Sequence, residues 1–145
     1  MPDKETIARA RRDKREGKAP STQAGEFIRA EMDKIRHGEH GARSPQQAIA
    51  IGLSKARRAG VELPPPKGPS STRRKAQQDL SKAEGPHRKS SSKRSKARET
   101  VLNREPKESA GRQALSRHAK SSASKRGSRA RRKAALKAAR TRKAA

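Results

Sequence analysis

Cysteine, tryptophan and tyrosine are all missing from the 145 residues, and Phe27 is the single phenylalanine. Without cysteine there can be no disulfide, thiolate metal site or Cys nucleophile, and the redox character of the compartment is left open. Without Tyr or Trp the chain lacks the stacking surfaces on which single-stranded nucleic acid and most RNA are read. Long apolar runs are also missing. None approaches the ~20 residues that span a bilayer, and the start Met1-Pro-Asp-Lys-Glu5 has no secretory core. The expectation is a soluble, cytoplasmic protein with no membrane partner. Acidic residues are scarce, 14 against 40 Lys plus Arg, and the net charge of +26 would repel itself in a compact state unless an anionic partner neutralised it. Only 28% of residues are hydrophobic, too few to fill a core along the whole length.

Ser44 to Gly60 is the stretch with the clearest start and stop signals. Ser44 suits an N-cap, Pro45 the first helical position and Gln47 a capping box. Gly60 suits a Schellman stop, with Val61 placed to touch Ala56. Upstream, a second helix is expected from a Ser21 or Thr22 cap to about Arg36. At 100° per residue Ala24, Phe27, Ile28, Met32 and Ile35 fall in one arc, with Glu31 among them. That carboxylate must sit at a rim or meet an Arg of the next helix, because burying it unpaired is costly. The loop His37–Arg43 then folds the two helices into a hairpin, with Ile49, Gly52, Leu53 and Ala56 as the matching face and Gly52 allowing close backbone approach. Residues 3 to 16 read as a charged, solvated and partly frayed helix that only Ile7 could anchor.

The burial of nine apolar side chains between Phe27 and Leu63 gains less than ordering about 40 residues costs, so the hairpin is expected to need self-association or a ligand. A possible homodimer would use Ile51, which projects away from the main face. Pro64-Pro65-Pro66-Lys67-Gly68-Pro69 then breaks the helical pattern. Residues 1 to 63 hold 14 basic and 9 acidic side chains, net +5; residues 64 to 145 hold 26 and 5, net +21. The second half reads as a largely disordered basic tail with transient helices near 72–84, 95–105, 109–120 and 128–143, folding on binding. In the last of these Arg129, Arg132, Lys133, Lys137, Arg140 and Lys143 share an arc of about 140°.

Such charge points to phosphate neutralisation, driven by counterion release and weakened by salt. Duplex DNA is favoured over RNA. The expected contacts are Arg43, Lys55, Arg57 and Arg58 in the hairpin, and Arg73, Arg74, Lys75, Lys93, Arg94, Arg126 and the six cations of the final arc in the tail. Base reading by Gln46 or Gln47 from the start of the Ser44 helix is the weaker alternative. His37, Glu39 and His40 lie in a glycine loop without metal-site spacing. No phosphate-cradling Gly-rich loop or nucleophile-and-base arrangement is present, so no enzyme, cofactor or small-molecule substrate is expected.

The segments Ser21–Ile28, Gly38–Ser44, Gln47–Val61 and Leu63–Pro66 resemble a family of small basic bacterial proteins that carry a domain of unknown function, often labelled DNA-binding or plasmid-stabilisation proteins. The likeness spans residues 18 to 67; the tail is similar to linker-histone tails in composition only. The resemblance implies a bacterial cytoplasmic setting and adds modestly to the case for DNA binding, and the basic tail adds the expectation of a nucleoid-associated protein. The resulting expectation is a mainly α protein: a charged helix and linker (1–19), a helical hairpin (20–63), a Pro-rich linker (64–71) and a basic low-complexity tail (72–145). Its function would be non-enzymatic, sequence-independent binding of duplex DNA. The rivals are a plasmid-stabilisation or antitoxin-like protein-interaction module and an RNA- or ribosome-associated basic protein.

Overall fold

The computed structural model describes residues 3–85 and 91–143. Seven helices follow in order: α1 (Lys4–Arg15), α2 (Pro20–Arg36), α3 (Pro45–Arg58), α4 (Ser70–Glu84), α5 (Ser92–Arg104), α6 (Arg112–Lys125) and α7 (Gly127–Lys143). A single 3₁₀ turn, Glu108–Ala110, precedes α6, and no strand occurs among the described residues.

Helix α3 begins and ends as its residues dictate. Ser44 Oγ accepts the Gln47 N–H at 3.3 Å, while Gln47 Oε1 accepts the Arg43 N–H at 2.8 Å, one residue short of the expected reciprocal box. At the other end the Val61 N–H reaches the Ala56 carbonyl and the Gly60 N–H the Arg57 carbonyl, with Gly60 at φ +87°. That is a complete Schellman motif. Helices α1 and α2 stop in the same way, at Gly17 and Gly38. The start of α2 departs from expectation: Pro20 opens it, Ala19 is the cap residue, and no side chain caps it.

Two apolar clusters hold the helices together. In the first, Phe27 and Ala24 of α2 meet Ala56 and Val61, and Ala10 of α1 completes the layer with Ile7 alongside. Helix α1 is therefore docked, not solvated. Ile7 is assisted by the small Ala10, and Arg9 reaches Glu26 of α2 at 2.8 Å. Asp3 spends its carboxylate on Lys34 of α2 at 3.0 Å and caps nothing. Where α3 crosses α2, a Cβ on Gly52 would lie 2.8 Å from the Ile28 Cα, so the close approach anticipated at this glycine is real.

The second cluster contains Met32, Ile35, Ala42 and Ala48, and its remaining member is Ala110, wholly buried. The expectation of a disordered tail is overturned here. The described part of residues 70–143 is helical apart from short connections, and the segment 102–115 is built into the hairpin's own core. Gly41 N–H donates to the Leu102 carbonyl at 2.8 Å, Ala42 N–H to that of Pro106 at 2.9 Å, and Arg36 Nε to that of Ala110 at 3.1 Å. Leu115 of α6 packs on the same cluster. Composition misleads because this docking uses backbone hydrogen bonds and alanines, neither of which registers as hydrophobicity.

Candidate nucleic-acid interface

Cations in the first half of the chain are largely spent on internal partners. Glu31, only 1% exposed, is paired with Lys55 Nζ and lies 3.2 Å from His40 Nε2, whose Nδ1 faces the Gly41 carbonyl at 3.0 Å. The buried carboxylate thus meets a Lys and a His of the following segment where an Arg was expected. Asp79 of α4, with its side chain 3% exposed, accepts from Ser54 Oγ (2.6 Å), Lys75 Nζ (2.8 Å) and Arg58 Nε (2.9 Å). Burial pushes the Asp79 carboxyl up, but the donors from Lys75, Ser54 and Arg58 outweigh it and bring the pKa down to about 2.

The expected hairpin contacts change accordingly. Arg57 is buried, Lys55 belongs to Glu31, and Arg58 and Lys75 belong to Asp79. Of the hairpin set only Arg43 stands well out, at 79% side-chain exposure, loosely facing Glu105 at 3.7 Å. Arg73 and Arg74 on α4 and Lys93 and Arg94 on α5 are exposed. So are Arg126 and all six cations of the α7 arc. Among the described residues no cation beyond Lys75 lies within 4 Å of a carboxylate. The sequence explains why: after Glu108 the chain has no Asp or Glu, but thirteen Lys and Arg, every one exposed.

Six of those thirteen are additional to the contacts expected from the sequence: Arg112, Arg117, Lys120 and Lys125 on α6, and Arg131 and Arg142 on α7. A count of acidic residues beyond Glu108 would have found them. Leu136, 58% exposed, lies inside the α7 arc and gives the cationic face one apolar point. Ile51 is partly buried and belongs to neither core cluster. Gln47 is occupied by its bond to Arg43, while Gln46 is exposed at the start of α3. His37 and Glu39 are exposed and do not converge with His40. Among the described residues no helix is long and apolar enough to cross a membrane.

Residues 4–67 match a family of unknown function (DUF6496), and they form a domain of unknown function. The match starts at Lys4 and so takes in α1, in keeping with the docking of that helix through Ala10. No curated protein and no solved structure matches the chain.

Proposed function

We propose that the protein is a non-enzymatic nucleic-acid binder that neutralises backbone phosphates, duplex DNA foremost, without reading sequence. The observation that carries this is the run of thirteen exposed, acid-free cations after Glu108. On α7 the fit to a polyanion is dimensional as well. The six cations of the arc, from Arg129 to Lys143, span about 21 Å at 1.5 Å per residue, so they recur on average every ~4 Å along the axis. On each strand of duplex DNA one phosphate occurs per ~3.4 Å of helix axis, a comparable linear density of charge. Most cations of the first half are paired within the fold, which suits that part to serve as a mount. This reading carries with it a cytoplasmic, nucleoid-associated location.

The decisive comparison uses the full chain, because cutting it at residue 67 would strip Ala110 from the core. A variant with Arg129, Arg132, Lys133 and Lys137 changed to Gln is compared with the wild type on duplex DNA, single-stranded DNA and RNA across a salt series. The expected result is tighter binding to duplex and a salt slope shallower by up to about 3–4 in the variant, at roughly 0.9 per lost contact. An unchanged slope, or wild-type binding that salt does not weaken, overturns the proposal.

A further inference from the structure

Away from α7, the start of α3 faces the 3₁₀ turn and α6 across an open cleft of about 430 Å³. Arg43, Ser44 and Gln46 line one wall; Ser109, Arg117 and His118 line the other. Two polar atoms are buried there with no hydrogen-bond partner, Ser109 Oγ, in a residue 6% exposed, and His118 Nδ1. A buried hydroxyl without a partner is costly, and a ligand accepting its hydrogen bond would recover that cost. The fourteen-residue α3 aims its positive end at the same space. Pro45 has no N–H and Ser44 Oγ takes that of Gln47, which leaves the Gln46 N–H without an intrahelical acceptor. Two guanidiniums stand against one lining carboxylate, the exposed Glu108. Ser109 and His118 are not hydrogen-bonded to each other, so they are not disposed as nucleophile and base.

We propose that this cleft binds a phosphoryl group, with Arg43 and Arg117 supplying charge and the Gln46 N–H, Ser109 hydroxyl and His118 ring supplying directed hydrogen bonds. Donors approach from both walls, which suits a tetrahedral group with three charged oxygens better than a planar carboxylate. Arg117 is one of the thirteen cations, but none of these residues lies on α7, so the α7 variant tests the site apart from the reading above.

The test titrates the full chain with inorganic phosphate and then with adenosine monophosphate, sodium chloride holding ionic strength constant. Unfolding temperature and the His118 ring-proton resonances are followed. Both probes are expected to raise the unfolding temperature and shift those resonances, where chloride does neither. Arg117→Gln should weaken the apparent affinity at least tenfold. Glu108→Gln, at an exposed position that leaves folding intact, should strengthen it severalfold. The four-residue α7 variant should bind both probes like the wild type. If phosphate acts no differently from chloride, or if Glu108→Gln leaves affinity unmoved, the site is refuted. Competition separates the sources of the group: displacement of the probe by an unphosphorylated duplex identifies backbone phosphate, and resistance to it identifies a free monoester.

Discussion

Glu31 shows how one side chain can organise its neighbours. Its carboxylate is buried on the face that packs α2 against α3, and Lys55 and His40 converge on it. Glu31→Ala should destabilise the protein by at most the lower end of the ~3–5 kcal/mol seen when a buried pair loses one partner, since Lys55 keeps some access to water. Chemical denaturation measures this, and Glu31→Met combined with Lys55→Met should recover most of the loss. For Asp79 the sign follows from a pKa held near 2 in the fold against 3.8 for the ordinary carboxyl. Its contribution is full above about pH 5 and disappears as pH falls through 4 towards 2. The stability gap between wild type and Asp79→Asn should therefore be open at pH 6 and closed near pH 2. Glu31's place on the buried arc was legible from periodicity alone. Its partner was not, although Lys55, three residues after Gly52, lies on the same packing stripe. A cation's type says nothing of which way it faces, and that is why Lys55, Arg57 and Arg58 were read as phosphate contacts.

At the level of elements, helix positions were readable wherever glycine, proline and serine punctuate the chain. The ends of α1, α2 and α3 at Gly17, Gly38 and Gly60 follow from local chemistry, and so do the approximate spans of α4 to α7. What joins the elements was hidden. The docking of residues 102–106 onto the loop before α3 depends on Gly41, where a Cβ would come within 1.8 Å of the Glu105 carbonyl oxygen. Gly41→Ala is expected to expel that segment, raising amide exchange at Gly41 and Ala42 and speeding protease cleavage between α5 and α6, with α1 to α3 still folded. Gly52→Ala sets a helix-propensity gain of about 1 kcal/mol against a clash with Ile28 backbone, and overpacking of ~1–3 kcal/mol should win. A lowered denaturation midpoint is the expected reading.

Across the whole molecule, charge is divided unevenly. Most cations of the first half are paired within the fold, with Arg58 and Arg43 reaching Asp79 and Glu105 of the second, whereas the last 37 residues contain no Asp or Glu. The case for self-association rested on a hairpin too poor in apolar surface to stand alone. With α1, Ala110 and Leu115 packed against its apolar clusters and α4 tied to α3 through Asp79, the chain itself supplies contacts that the hairpin alone lacks. The unfolding temperature of the full chain should then be independent of protein concentration, which a melting series over a hundredfold dilution checks. The burial of Ala110 between Ile35 and Ala48 also has a consequence for how the chain is made. About sixty residues separate Ala48 from Ala110, and translation at ~5–20 residues per second leaves the nascent three-helix unit waiting some 3–12 seconds for its last piece. Stalled nascent chains of increasing length should therefore gain protease resistance in two steps, the second only after Leu115 has left the exit tunnel.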